Sequence, residues 1–413
     1  MKSFLLALLF VSNLALADAR QVNDYHWEGV ERIVAIGDIH GDYNNYIATL
    51  SAAGLINKKE KWSGGKAHLV QTGDLPDRGP DTLRIIDHIT GLAKQAKRKG
   101  GRVHSLIGNH EAMNVYGDLR YVHDGEFEAF VTRNSGALRD RVFELHLQQI
   151  ETQAPEQFAA LPETYREDWN TKHPLGWVEH RQAWDPAWNP EGKISNWVLD
   201  RKVAMRVNDA IFLHGGISGF YCQNSLDSMT EKVVASLRHF DPRNSGILED
   251  DFGPLWFRGL SGVDPQASLE TVDAILAHHN VKHIVVGHTV TSGIIWPRYD
   301  SRVVMIDTGI SSAYGGHIGY LEITAEGLSA GYPAGKLPLP ASDDEAIAYL
   351  EKVIAMYPDN PYLQERLERL LNPPFAEPAQ PANGEAADGE AADGAAASPE
   401  QAVPEPAPIC GIS

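Results

Sequence analysis

The chain has 413 residues, of which 43% are hydrophobic, and its formal net charge at pH 7 is −19. This length and composition are typical of a globular protein that buries a large core in one or two domains. The negative charge argues against nucleic acid as a partner, because binding a phosphate backbone needs clustered lysines and arginines.

The N-terminus has the pattern of a secretory signal peptide over residues 1–19. A lysine precedes an apolar stretch over residues 4–16 that is too short to span a bilayer, and Ala15 and Ala17 fit a small-x-small cleavage site. We expect cleavage after Ala17 or Ala19, and therefore a periplasmic or secreted protein without membrane contact after cleavage. An uncleaved anchor and a plain N-terminal helix are the alternatives.

Residues 32–111 repeat one pattern three times, in which a short apolar run ends in a glycine and polar residues. The three runs read RIVAIGDIHGD, AHLVQTGDLPDRG and RVHSLIGNHE, and helical spacing of apolar residues follows the first two. Strand, polar loop and helix in this order predict an α/β fold with a parallel sheet. Because ligands gather at the carboxyl ends of such strands, we expect the three polar endings to share one rim.

Residues 115–199 break this alternation and form a predicted helical insert. The insert contains five of the nine tryptophans of the chain, which are Trp169, Trp177, Trp184, Trp188 and Trp197. These rings can form a small core of their own, or they can line a substrate cleft as part of a cap. The sequence favours neither interpretation.

Strand patterns resume after the insert with KVAMRV, AIFLHGGIS, HIVVGHTV, RVVMIDTGIS and IGYLEIT. Short turns between some of them favour antiparallel neighbours beside a second parallel unit. We assign residues 20–341 to one domain and residues 342–371 to a helical segment.

Residues 372–413 are an acidic tail rich in proline, alanine and glycine. We expect this tail to be disordered, because it cannot bury enough apolar surface to offset the entropy of ordering. It would be a solvated linker rather than a site for cations or a partner.

The chain has two cysteines, Cys222 and Cys410. An oxidising compartment would allow them to form a disulfide. Because one lies in the predicted domain and the other in the tail, we expect two unpaired thiols.

The strand endings collect polar residues that are weak indicators of a site when taken singly. They are Asp38, His40, Asp74, Asp77, Arg78, Asn109, His110, Glu111, His214 and His288. Carboxylates, imidazoles and an amide on one rim supply the mixed oxygen and nitrogen ligands that suit manganese, iron or zinc. A cation would also offset the concentrated negative charge. The set therefore predicts a metal site without thiolate ligands.

The motifs GDIHG, GDLPDRG, GNHE, HGG and GHT occur in this order between residues 33 and 316. Together they resemble the signature of the phosphoprotein phosphatase family of binuclear metallophosphoesterases. The long insert, the secretory start and GPLWFRG are most similar to the bacterial Shewanella-like phosphatases. The resemblance implies a calcineurin-like metallophosphoesterase fold of the α/β class, in which a mixed β-sandwich is flanked by helices and carries the tryptophan-rich insert.

The resemblance also implies two divalent metal ions, which we expect to be manganese, with iron or zinc as alternatives. The implied ligands are Asp38, His40, Asp74, Asn109, His214 and His288. Asp74 would contact both ions, and Glu111 and Asp307 would orient the ligands. Two such ions activate a bridging water as hydroxide for direct in-line attack on a phosphoryl group.

Four further residues receive roles from the resemblance. His110 would protonate the leaving oxygen and Asp77 would orient its imidazole. Arg78 and Arg258 would bind the phosphate oxygens. The implied activity is hydrolysis of phosphate monoesters.

The segment IDTGISSAYGGH departs from the serine/threonine branch of the family, which has SAPNYCG at this place. With the long insert, this departure argues against a preference for phosphoserine or phosphothreonine. A cleft lined by the insert tryptophans would favour a phosphorylated protein or peptide substrate that carries phosphotyrosine, as the Shewanella-like resemblance also implies. The alternatives are a diadenosine tetraphosphate hydrolase and a periplasmic phosphoesterase for small esters. From a different class, the chain could be a non-catalytic metal-binding interaction protein on the same scaffold.

Overall fold

A computed structural model describes residues 19–263 and 266–372 together with Cys410. The predicted signal peptide, apart from Ala19, lies outside these residues, and so does the predicted tail apart from Asn372 and Cys410. Over the described ranges, no helix combines the length and the apolar character that crossing a membrane requires.

The described residues form thirteen strands and thirteen α-helices. The strands are β1 Arg20–Asn23, β2 His26–Glu28, β3 Ile33–Ile36, β4 His68–Gln71, β5 Arg102–Ser105, β6 Ala204–Val207, β7 Ala210–Leu213, β8 His283–Val286, β9 Trp296–Arg298, β10 Val303–Met305, β11 Tyr320–Thr324, β12 Gly327–Tyr332 and β13 Gly335–Pro338. The helices are α1 Tyr43–Ala52, α2 Thr82–Arg98, α3 Asn109–Tyr116, α4 Asp124–Glu128, α5 Ser135–Gln153, α6 Pro155–Ala159, α7 Tyr165–Lys172, α8 Trp177–Trp184, α9 Lys193–Leu199, α10 Leu226–Arg238, α11 Leu269–His279, α12 Ala346–Met356 and α13 Pro361–Leu371. Helices α4 to α9 occupy the predicted insert.

The strands form two mixed sheets. The order is β1-β2-β6-β7-β8-β10-β9 in the seven-stranded sheet and β13-β12-β11-β3-β4-β5 in the six-stranded sheet. Strands β3, β4 and β5 are parallel, and so are β7, β8 and β10, whereas β6 pairs antiparallel with β7. The predicted α/β fold with two mixed sheets flanked by helices is therefore confirmed.

Alternation along β3 shows how the layers pack. Ile33 and Ala35 belong to the core cluster that contains residues of both sheets. Val34 and Ile36 point to the opposite face, in a cluster with apolar residues of α1 and α2. Successive side chains of a strand point to opposite faces, so a strand that is covered on both sides must be apolar throughout. The run IVAI is such a strand.

The tryptophans of the insert divide between two environments, because Trp184 belongs to the core cluster that contains residues of β3, α1 and α2, and Trp197 packs against the same cluster. Trp184 is fully buried. Trp169, Trp177 and Trp188 line a cavity of about 470 Å³ between α5, α7 and α8. Trp197 donates a hydrogen bond of 3.0 Å to a threonine of α2 and so attaches the insert to the sheet layer. The interpretation as a small separate core therefore holds only for Trp169, Trp177 and Trp188, whose rings contact one another within the insert.

The expectation of two unpaired thiols is wrong, because Cys222 and Cys410 form a disulfide with a Cα–Cα distance of 5.7 Å. Cys222 is buried in the loop that follows β7, and Gln223 Nε2 lies 3.4 Å from Cys410 Sγ. The composition of the tail gave no sign that its end returns to the folded domain. A sequence separation of 188 residues also hides the pairing from any local pattern.

Candidate metal centre

Loops after six strands converge on one cavity. In the six-stranded sheet β3 leads to Asp38 and His40, β4 to Asp74, and β5 to Asn109 at the start of α3; in the seven-stranded sheet β7 leads to His214, β8 to His288 and β10 to Asp307. The cavity has a volume of about 170 Å³ and is lined by Asp38, His40, Asp74, Arg78, Asn109, His110, Tyr121, Trp256, Arg258, His288, Val290, Asp307 and Tyr314. Of the six implied metal ligands and the four further residues that received roles, the structure thus brings eight to one cavity wall. Asp77 and His214, the other two, contact residues of that wall directly.

Five of the predicted site residues have a left-handed backbone conformation. Their φ angles are 46° at His40, 60° at Asp74, 72° at Asp77, 63° at Arg78 and 64° at His288. Non-glycine residues rarely adopt this conformation, which costs on the order of 1–3 kcal/mol each and persists where surrounding contacts fix it. The loops are therefore held in sharp turns, and four of these five side chains, all except Asp77, line the cavity.

Gly108, the glycine of GNHE, allows the loop after β5 to pack closely against the loop after β4. A Cβ atom at Gly108 would lie 2.2 Å from Asp74 Oδ1, which is far inside van der Waals contact. The same Asp74 oxygen accepts a hydrogen bond of 3.0 Å from the backbone N–H of His110. Only glycine lets the β5 loop and the β4 loop meet at this distance.

In three histidines, one ring N–H donates a hydrogen bond to a backbone carbonyl oxygen. The pairs are His40 Nδ1 with Pro76 O at 3.1 Å, His214 Nδ1 with Thr72 O at 3.0 Å, and His288 Nε2 with Trp256 O at 3.1 Å. Because a carbonyl can only accept, each bond fixes the tautomer and leaves the other ring nitrogen with a lone pair. This is the arrangement that metal-binding histidines adopt.

The free ring nitrogens lie close to carboxylate and amide oxygens. His214 Nε2 is 3.2 Å from Asp74 Oδ2, 2.7 Å from Asn109 Oδ1 and 3.1 Å from His288 Nδ1. Asp74, His214 and His288 offer ligand atoms within 4.8 Å of one another. His40, Asp74 and His110 form a second group of the same kind. Asp74 belongs to both groups, so the donor set fits two neighbouring divalent cations.

Burial and charge crowding shift the pKa values of the carboxyl groups. Burial, with the nearby carboxylates of Asp307 and Asp74, raises the pKa of Asp38 well above its usual range. Burial also raises the pKa of Asp307 to about 6. Asp74 is the exception: burial acts to raise its pKa, but His214 and His110 outweigh that effect and lower it. Negative charge concentrated in a buried site is the setting in which a cation stabilises the ionised forms.

His110 and Asp77 form a buried pair next to the metal ligands. His110 Nδ1 donates to Asp77 Oδ2 at 2.5 Å, and Asn114 Nδ2 donates to Asp77 Oδ1 at 2.9 Å. Burial acts to lower the pKa of His110, but the carboxylates of Asp74 and Asp77 outweigh it and raise the pKa to about 9. With Nδ1 held by Asp77, Nε2 is the nitrogen that faces Asp74, at 3.8 Å. The His110 ring therefore presents Nε2 to the cavity.

Glu111 organises the backbone below the site. Its carboxylate accepts hydrogen bonds from the backbone N–H groups of Asp74 at 2.8 Å, Leu75 at 2.7 Å and Gly108 at 2.8 Å. These bonds fix the β4 loop relative to the start of α3. Glu111 is absent from the cavity lining, so its contacts support the site without facing it.

Two arginines supply positive charge to the cavity. Arg258 Nη1 donates to His288 O at 2.7 Å and to Thr289 Oγ1 at 3.2 Å. The Arg78 guanidinium carbon lies 4.0 Å from the centre of the Tyr121 ring. Within the described part of the chain, the remaining guanidinium N–H groups of both arginines have no hydrogen-bonded protein partner, so they are available to a ligand.

Three aromatic residues of the cavity were not predicted from the sequence. Trp256 lies two positions before Arg258 in GPLWFRG, and Tyr314 lies in the segment that departs from the serine/threonine branch, so both had a local signal. Tyr121 had none, because it lies in the insert. Among the described residues that line the cavity, none of the five insert tryptophans occurs. The lining of this cavity therefore gives no support to the interpretation of these tryptophans as walls of the substrate cleft.

Residues 31–292 match the pattern of the calcineurin-like phosphoesterase family. The chain belongs to this family of metallophosphoesterases, and it is a phosphatase with a metal-binding site. An uncharacterised protein of Schizosaccharomyces pombe is 33% identical over 302 residues, which cover 71% of this chain and 77% of the yeast protein. Shewanella-like protein phosphatase 2 of Arabidopsis thaliana is 28% identical over 298 residues, which cover 69% of this chain and 73% of the plant protein.

A solved structure extends the same relationship. The crystal structure of a cold-active protein-tyrosine phosphatase of a psychrophilic Shewanella species superimposes with a TM-score of 0.57 and 26% identity. The superposition covers 78% of this chain and 83% of that chain. The resemblance to the Shewanella-like protein phosphatases is confirmed.

Proposed function

We propose that this phosphatase hydrolyses phosphotyrosine in exported or periplasmic proteins. The observation that carries the proposal is the aromatic wall of the cavity around two arginines. Tyr314 lies 5.1 Å from the His40 ring and Trp256 lies 5.8 Å from the His288 ring, both measured between ring centres. An aromatic leaving group can pack against such rings, whereas a serine or threonine side chain is too short to do so. Similarity to the cold-active protein-tyrosine phosphatase of Shewanella supports the same substrate class.

The metal ligands in this proposal are Asp38, His40, Asp74, Asn109, His214 and His288. Their nitrogen and oxygen donors, with no thiolate, suit manganese first, and iron or zinc also fit. When two divalent cations are bound, they lower the pKa of a water and neutralise charge on the phosphoryl group. The fixed tautomers of the three histidines present their lone pairs to the cations without rearrangement.

Other residues of the chain bind the phosphate and move the proton. Arg78 and Arg258 donate their free guanidinium N–H groups to the phosphate oxygens. Asp77 holds the His110 imidazole in one tautomer, and Nε2 gives its proton to the tyrosine oxygen as the P–O bond breaks. A water attacks phosphorus in line as the P–O bond breaks, and its oxygen completes inorganic phosphate, so no covalent phosphoenzyme forms.

Turnover of matched phosphotyrosine, phosphoserine and phosphothreonine peptides tests the substrate class. Diadenosine tetraphosphate and a small alkyl phosphate are included, with mature protein from Ala19 onward and added manganese. We expect the phosphotyrosine peptide to lead by about tenfold or more in kcat/KM, a difference of about 1.4 kcal/mol in transition-state binding. Leading turnover of the dinucleotide or of the alkyl ester would contradict this substrate class.

Two variants test the roles of the site residues. Asp74→Asn should abolish hydrolysis while the fold is retained, and Asp87→Asn on the exposed face of α2 is its control. His110→Asn should slow phenyl phosphate by about 10²–10⁴-fold, and p-nitrophenyl phosphate much less, because a good leaving group needs no proton. Equal losses on the two esters would remove His110 from the acid role.

A further inference from the structure

The turn Asp77–Arg78 contains two residues with different roles in the proposed reaction. Asp77 orients the general acid and Arg78 binds phosphate, yet both residues have left-handed φ angles of 72° and 63°. Two adjacent non-glycine residues in this conformation are strained. Contacts from elsewhere in the molecule must hold the turn, because its own sequence does not favour it.

The first of these contacts comes from the insert. Glu126 of α4 is fully buried, and its Oε2 accepts hydrogen bonds from Thr82 Oγ1 at 2.7 Å and from the backbone N–H of Asp77 at 3.3 Å. Its Oε1 lies 3.3 Å from His180 Nε2 of α8. Burying a carboxylate costs free energy unless its oxygens accept hydrogen bonds. Glu126 meets this requirement in part by accepting the hydrogen bond from the strained turn.

The second contact also comes from the insert. The backbone N–H of Arg78 donates to Tyr121 O at 3.0 Å. The Tyr121 ring lies 4.0 Å from the Arg78 guanidinium carbon and 5.2 Å from the His110 ring centre. Both consecutive amides of the turn therefore bond to residues 121–126 of the insert.

We infer that residues 121–126 of the insert position the Asp77–Arg78 turn, and that Glu126 is a positioning residue for the phosphatase reaction. The inference rests on the roles proposed above for His110 and Arg78. Without the Glu126 acceptor, the Asp77 N–H is unpaired in a buried environment and the turn can relax toward an ordinary conformation. His110 then loses its fixed orientation. The insert thus contributes to catalysis from behind the general acid and through Tyr121 rather than through its tryptophans.

Glu126→Leu, Glu126→Gln and the control Glu128→Leu test this role. Leucine removes both acceptor oxygens, whereas glutamine keeps one oxygen that can accept from Asp77 and Thr82. Glu128 lies on the same helix and is exposed. Each variant is assayed on phenyl phosphate and p-nitrophenyl phosphate, and its manganese content and thermal unfolding are measured alongside.

We expect Glu126→Leu to lower kcat on phenyl phosphate by about 10- to 100-fold, with a smaller loss on p-nitrophenyl phosphate and unchanged metal content. Glu126→Gln should recover activity to within about threefold of the parent, and Glu128→Leu should not differ from it. A merely structural effect would lower kcat equally on the two esters. The inference is overturned if Glu126→Leu folds, binds metal and keeps parental activity, or if the losses on the two esters are equal.

A second pair of variants keeps the inference testable if Glu126→Leu does not fold. Tyr121→Leu removes the ring over Arg78 but keeps the backbone acceptor, and Tyr121→Phe keeps the ring. We expect Tyr121→Leu to raise the KM for p-nitrophenyl phosphate by about fivefold or more, and Tyr121→Phe to leave it unchanged. Equal KM values for the two variants would overturn the positioning role of the insert. If Asp74→Asn stays active, the proposed function fails as a whole; if only these insert variants are silent, the inference alone fails.

Discussion

Removing the Cys222–Cys410 disulfide should lower the free energy of unfolding by an amount that follows from the length of the loop it closes. The cross-link joins residues 188 positions apart, so it removes a large amount of conformational freedom from the unfolded chain. The chain-entropy model gives about 5 kcal/mol for a loop of this size, and native disulfides usually contribute about 2–4 kcal/mol. We expect Cys410→Ser to lower the free energy of unfolding by about 3 kcal/mol.

Urea denaturation of the parent and of Cys410→Ser, each with and without reductant, measures this contribution. Reductant should destabilise the parent to the level of the variant and should not change the variant. Thiol titration of the unfolded, non-reduced parent should find no free cysteine. A titre of two thiols, or a parent that reductant does not destabilise, would refute the reasoning. An intact disulfide would also agree with the proposed export, since such bonds persist in oxidising compartments.

Two further changes test the pH response and the site. Burial lowers the pKa of His68 to about 4 and that of His104 well below its ordinary value. Below pH 6.5 the unfolded chain binds protons that the folded chain excludes, so the free energy of unfolding should fall as the pH drops toward 4. His104→Gln should reduce that slope by up to about 1.4 kcal/mol per pH unit in urea titrations, and an unchanged slope would contradict the assignment. Gly108→Ala should abolish metal retention and lower kcat about 100-fold or more, because its Cβ would lie 2.2 Å from Asp74 Oδ1. Gly136→Ala, with open space around the added carbon, is the control, and manganese bound by both variants would refute this prediction.

The strand endings could be predicted because they depend on local pattern and on one rule of topology. An apolar run, a glycine and a polar residue identify the loops after β3, β4 and β5, and parallel strands bring those loops to one rim. The same pattern identifies His214 and His288 after β7 and β8. It does not show that a second sheet delivers them to the same cavity, and the family resemblance supplied that step.

The contacts of the insert could not be predicted, for a physical reason. Glu126 bonds to a backbone N–H 49 positions earlier in the chain. Helical periodicity indicates which face of a helix is apolar, and it carries no information about a buried carboxylate that accepts from a distant turn. Tyr121 and the Cys222–Cys410 pair were missed for the same reason. The abundance of tryptophan drew attention to rings that do not line this cavity, since Trp184 and Trp197 pack against the sheet layer and the other three contact one another within the insert.

The ligands of the candidate centre come from both sheets. Asp38, Asp74 and Asn109 follow strands of the six-stranded sheet, whereas His214 and His288 follow strands of the seven-stranded sheet. Ions bound by these residues would join two layers that also adhere through apolar contacts and through hydrogen bonds such as that of His214 Nδ1 to Thr72 O. Metal binding then also stabilises the fold, because it links the two sheets at the rim where their loops meet. Chelation would loosen the joint between the sheets before it unfolds either one, and the resistance of the protein to denaturant would report how fully its centre is loaded.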